Sequence, residues 1–128
     1  MRIEEYFEVI RLQKFEKDMK KLSKKYRTLE DDLMRFLKGQ VYMHHINGQK
    51  VKGLYRIPGL KIKGNKIYKA TRFSCQSLRG SGSYSGIRVI YAYIEKEDDK
   101  DEVVLIEIYY KGDKKNEDRD RIEKYFGN

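Results

Sequence analysis

Two apolar stretches joined by a run of charge set the strongest constraint on the fold. Residues 86–96 (GIRVIYAYIEK) and 102–111 (EVVLIEIYYK) are rich in β-branched and aromatic side chains, and residues 97–101 between them (EDDKD) are all charged. Strand formers on either side of a short polar turn predict an antiparallel hairpin. Strand alternation puts Ile87, Val89, Tyr91 and Tyr93 on one face of the first arm and Arg88, Ile90, Ala92 and Ile94 on the other. Near the exit of the second arm, Glu107, Tyr109 and Lys111 share a face. The start of one arm lies beside the end of the other, so Arg88 is expected close to Tyr109 or Lys111.

The rest of the chain is read around this hairpin. Residues 6–10 predict a short first strand. Leu12, Phe15, Met19, Leu22 and Tyr26 then recur at steps of three and four, one face of a helix, with Lys17, Lys20, Lys21, Lys24 and Lys25 opposite. Thr28 reads as an N-cap, with Glu30, Asp31 and Asp32 in the first turn of a second helix whose apolar stripe is Leu29, Leu33, Phe36 and Leu37. Gly39 reads as its stop. Residues 40–65 are broken by Gly48, Gly53, Pro58, Gly59 and Gly64 and predict a long loop or small hairpin with Lys50, Lys52, Arg56, Lys61 and Lys63 exposed. Residues 66–74 predict a strand with Ile67 and Phe73 on one face and Tyr68 and Arg72 on the other. Asn116 reads as the cap of a short helix ending at Phe126. The order implies an α+β fold: an N-terminal strand and a helical hairpin on one face of a small, mostly antiparallel sheet, with a short C-terminal helix. One domain is expected over residues 1–128, and the second face of the sheet is expected to be free to carry function.

Charge says what that function involves. The net charge is +9, but residues 1–32 carry +1, residues 33–94 carry +12 with no acid at all, and residues 95–128 carry −4. Twelve cations without local counterions repel one another, and a polyanion relieves that repulsion. The alternative is a solvated basic face neutralised by the acidic third of the chain. The Gly/Ser stretch of residues 77–86 (SLRGSGSYSG) holds Arg79 and joins the strand bearing Arg72 to the strand bearing Arg88. Arg72, Arg79, Arg88 and Lys111 are thus expected at one end of the sheet, with Lys114 in the following turn, where arginine forks suit phosphate oxygens.

Other chemistries find less support. His44 and His45 are the only histidines and have no Cys or acid at metal-ligand spacing. Cys75, the only cysteine, reads as a small buried hydrophobe, and one cysteine forms no internal disulfide. No apolar run reaches the length of a membrane span. Glu4, Glu5 and Glu8 argue against a signal peptide, so a cytoplasmic protein without a membrane partner is expected.

Together, the element order and the segments IYKATRF (67–73), SGIRVIYAYI (85–94) and IEIYYKGDKKNED (106–118) resemble the RelE/ParE toxin superfamily over nearly the whole chain. The resemblance implies a small α+β toxin of a toxin-antitoxin system, held inactive by an antitoxin protein encoded beside it. Relatives of the RelE kind are implied to cut messenger RNA on the ribosome by attack of the 2′-hydroxyl on the adjacent phosphate, without metal or other cofactor. Relatives of the ParE kind inhibit DNA gyrase instead. Carried over residue by residue, the resemblance implies catalytic roles for Arg88, Lys69, Arg72 and Lys111, with Lys69 or Lys111 as base. RNA contacts are expected from Arg79, Lys114, Tyr109, Lys61 and Lys63. Two departures stand out: Tyr125 is the only tyrosine near the C-terminus, and residues 40–65 form a longer, basic insertion.

Overall fold

A computed structural model describes residues 2–64, 66–78 and 84–127. A single 3-10 turn (Ile3–Glu5) leads into β1 (Phe7–Arg11), followed by α1 (Gln13–Ser23), α2 (Leu29–Phe36), α3 (Tyr42–His45), β2 (Leu54–Arg56), β3 (Ile67–Ala70), β4 (Ile87–Ile94), β5 (Asp101–Tyr110) and α4 (Arg119–Phe126). The strands form one mixed sheet in the order β1-β5-β4-β3-β2. Only β1 pairs in parallel, against β5; the other pairings are antiparallel. The predicted hairpin is the β4–β5 pair, with Arg88 opposite Tyr109.

The first face of the sheet is the one the alternation predicts. Ile87, Val89, Tyr91 and Tyr93 join Phe15, Met19 and Leu22 of α1 and Leu29, Leu33 and Phe36 of α2 in the larger core. Cys75 is buried there as well, 2% exposed. Where β1 stops at its Leu105 partner, Asp18 of α1 takes over the β5 edge by accepting from the Ile108 N–H at 3.2 Å.

The second face is not free. Ile90, Ala92, Val104, Ile106 and Tyr109 form a second core with Ile57, Ile67 and Ile122, beneath α4 and the segment that follows β2. The reason was present in the alternation itself: Ile90, Ala92 and Ile94 make the reverse of β4 apolar too, and a strand apolar on both faces demands cover on both. A β-bulge strengthens this. Ile90 pairs with Glu107 but Tyr91 with Leu105, which turns both Ile106 and Glu107 toward α4.

Four local expectations are corrected. Gly39 does not stop α2. The chain winds on through a π-helical turn (Leu37–Val41) into α3, because the buried stripe continues from Leu37 to Val41 four residues later. His44 and His45 therefore lie on a helix and not in a loop or strand. β3 ends at Ala70, so Phe73 leaves the face of Ile67 and packs in the first core, 5.6 Å from Phe36. α4 is capped by Asp118, which accepts from the Arg121 N–H at 3.0 Å, and not by Asn116. Thr28 does hold the N-cap position of α2, but its hydroxyl is turned to Asp32 and Ser77. In the basic insertion, Lys50, Lys52, Arg56, Lys61 and Lys63 are all exposed.

Candidate nucleic-acid interface

At the sheet end where β4 begins and β5 finishes, Thr71, Arg72, Tyr84, Gly86, Arg88 and Lys111 line a cleft of about 210 Å³. Each cation arrives by a different route. Arg88 is the second residue of β4, and its Nη1 donates to the Thr71 carbonyl at 2.6 Å, which bridges the end of β3. Arg72 sits just beyond β3, where Gln40 of the π-helical turn binds its carbonyl at 2.8 Å. Gly53 permits this approach: a Cβ there would stand 2.7 Å from the Arg72 side chain. Lys111 follows β5, and its N–H donates to the Gly86 carbonyl at 2.9 Å. Gly86 holds a φ of +85°, a backbone state that favours glycine, and a Cβ at this position would press on Tyr110 and Lys111.

The cleft's chemistry lies in its lack of acids. Among the described residues, no carboxylate pairs with Arg72, Arg88 or Lys111. Among the described residues, Arg88 donates one of its five N–H groups, to Thr71. A pair of guanidinium forks and an ammonium around a small concavity suit the oxygens of a phosphodiester. Thr71 and Tyr84 were not singled out from sequence. For Tyr84 there was a signal: it is the one aromatic within a Gly/Ser-rich run that has nothing apolar beside it.

The other expected residues lie elsewhere. Lys69 is on the second face, under α4, where its Nζ donates to Glu117 at 2.8 Å with side chains 11% and 6% exposed. Burial alone would lower the Lys69 pKa, but its contacts with Glu117 and Tyr109 together outweigh burial and hold it above the usual lysine value. Burial likewise opposes ionisation of Glu117, yet the Lys69 ammonium and Arg119 keep its carboxyl below the usual range. Tyr109 is buried between Lys69 and Lys114, whose ammonium groups lie 6.0 and 5.0 Å from its ring centre. Lys114 pairs with the fully buried Glu107, which also accepts from the Asp118 N–H at 2.8 Å. Lys61 and Lys63 flank Ile62, which bridges to Gly127 beyond α4, and neither lines the cleft. Arg79 lies outside the described residues. The cleft therefore gathers Arg72, Arg88 and Lys111, whereas Lys69, Tyr109, Lys114, Lys61 and Lys63 do not line it, although Tyr109 sits opposite Arg88 in the β4–β5 ladder.

Concavity size alone would have chosen another place. A larger hollow of about 790 Å³ lies among Arg2, Glu4, Glu5, Met34, Lys38 and Lys100, but its two glutamates offset the cations. Among the described residues no group of His, Cys, Asp and Glu is arranged to hold a metal ion. Among the described residues no helix is long and apolar enough to cross a membrane. Searches among protein-family models, curated proteins and solved structures find no match to this chain.

Proposed function

We propose that the chain is an RNA-directed toxin of the RelE kind, an endoribonuclease that cuts messenger RNA on the ribosome and is neutralised by an antitoxin partner. The observation that carries the reading is the acid-free convergence of Arg72, Arg88 and Lys111 at one rim of the sheet. In the proposed step the 2′-hydroxyl oxygen attacks the adjacent phosphorus as its proton passes to a base. The P–O5′ bond breaks, and a proton is returned to the departing 5′-oxygen. The products are a 2′,3′-cyclic phosphate and a free 5′-hydroxyl. Arg88 and Arg72 take up the charge that builds on the non-bridging oxygens, an electrostatic role that counts most in the transition state. Lys111 is the one lysine lining the cleft, and the role of base falls to it and not to Lys69, which its carboxylate partner keeps charged.

The test is a cell-free translation extract programmed with a defined message. Fragments bearing 2′,3′-cyclic ends are expected, in EDTA-treated protein as well. Arg88→Ala should cut the rate roughly 10²- to 10³-fold, as loss of a donor to a developing oxyanion does. An intact message at protein levels that stop translation would overturn the nuclease. A second reading, nucleic-acid binding without cleavage, is favoured by the ion-paired state of Lys69. Under that reading the message stays whole, and a fall in gyrase supercoiling would identify the ParE-like form of it.

A further inference from the structure

We propose that Tyr84 is a nucleobase platform: an unpaired base of the bound RNA stacks on its ring while the neighbouring phosphate sits among Arg72, Arg88 and Lys111. The ligand is therefore single-stranded at the cleft. This rests on the reading of the cleft as an RNA site and adds to it the form of RNA that it takes.

Tyr84 is 70% exposed, more than any other large apolar side chain described. The backbone just after it is held. Ser85, the next residue, is 5% exposed, donates its hydroxyl to the Phe73 carbonyl at 2.5 Å and accepts from the Ile87 N–H at 3.1 Å. The Arg72 guanidinium carbon lies 4.9 Å from the centre of the Tyr84 ring. That cation–π contact orients the ring and keeps the guanidinium at the cleft. Among the described residues no other aromatic ring packs against Tyr84. The ring thus stands in water, touched by an arginine, beside three cations that meet no carboxylate among the described residues. Every base offers a π-face to such a ring, but a duplex keeps its base faces inside its own stack. Only an unstacked base reaches Tyr84 while its phosphate stays within reach of the arginines.

The chain has no tryptophan, so Tyr84→Trp installs a single indole reporter. Its emission should fall when a short single-stranded oligoribonucleotide binds and should not fall with an abasic oligomer of the same length. In anisotropy titrations Tyr84→Ala should weaken the single-stranded oligoribonucleotide about ten-fold, the effect expected when one stacked base is lost. Tyr84→Phe should stay within about two-fold of the parent, and abasic oligomer should bind parent and Tyr84→Ala alike. Equal affinity of Tyr84→Ala and parent for the single strand would overturn the platform, as would duplex RNA binding the parent as tightly as single-stranded RNA. Arg88→Ala separates the two levels. If it weakens RNA binding and Tyr84→Ala does not, the platform alone is lost. If it leaves RNA binding intact, the RNA reading of the cleft falls with it.

Discussion

His45 shows how one side chain can tie stability to pH without touching the cleft. Its ring stacks on Tyr93 at 3.9 Å, meets the edge of Tyr68, and binds the Tyr91 hydroxyl through Nε2 at 2.8 Å. Burial first, then the nearby His44 and Arg56 charges, depress its pKa from 6.5 to about 3, against a smaller opposite pull from Asp101. Burial also holds Tyr91 well above the usual tyrosine value, which keeps its hydroxyl protonated beside the neutral imidazole. In the unfolded chain His45 takes up a proton near pH 6.5; in the folded chain it does so only near pH 3. Across that window the unfolded state binds more protons, so stability falls as the pH drops. The slope from this residue is at most about 1.4 kcal/mol per pH unit. Urea midpoints measured at pH 7, 6 and 5 should decline, and His45→Phe should flatten the decline. An unchanged slope in that variant would remove His45 as the cause. The sequence named both histidines and their poor fit to metal, but not this role, because the ring partners Tyr68, Tyr91 and Tyr93 come from strands 23 to 48 residues further along the chain and local spacing does not encode them.

At the scale of elements, α4 and the segment leading into it decide which cations are already paired. The helix supplies Ile122 to the second core, with Phe126 at the margin, and Arg121, which pairs with Asp18 at 2.7 Å; the residues before it bring Glu117 to Lys69 and Lys114 to Glu107. Glu117→Gln would leave the Lys69 charge buried without a counterion, which should destabilise the fold by about 3 kcal/mol in a urea titration. RNA affinity of the remaining folded protein should change less than about two-fold, since neither residue of the pair lines the cleft. A large loss of affinity with intact folding would return Lys69 to the binding machinery. The hairpin, the helical pair and the first core were legible because each rests on a periodicity within one segment. Three features were missed: the π-helical continuation past Gly39, the fifth strand Leu54–Arg56, and the cover on the second face. The first and last left a signal in their own segments, the Leu37–Val41 step and the apolar reverse of β4, whereas the fifth strand depends on what another segment brings. Leu54–Arg56 is three residues long and becomes a strand only because Ile67–Ala70 offers it an edge. Lys69 and Arg72, three residues apart, would fall on opposite faces of one strand, so alternation already argued against their sharing a site.

For the molecule as a whole, the proposed RNA function raises the question whether the cleft or the basic middle of the chain would hold the ligand. The cluster at the rim was legible from topology, since it follows from antiparallel pairing at one sheet end; the Tyr84 platform and the Thr71 bridge were not, since both depend on how the chain leaves β3. Salt dependence separates the two modes of binding, because each phosphate neutralised on a single strand contributes a slope of about −0.7 to the logarithm of affinity against the logarithm of salt. Three cleft cations predict a slope of about −2, and Arg88→Ala should make it shallower by about 0.7. Engagement of all twelve cations of residues 33–94 predicts a slope nearer to about −8. The acidic tail does not settle the matter in advance, because several of its carboxylates already face lysines and arginines of their own segment, as Glu107, Glu117 and Glu102 do. We expect a slope between about −2 and −4 for a short oligoribonucleotide, with the exposed lysines of the insertion adding at most a few contacts. A slope near −8 that Arg88→Ala leaves unchanged would mean that the basic face binds as a diffuse surface and that the cleft is not the place where the RNA is held.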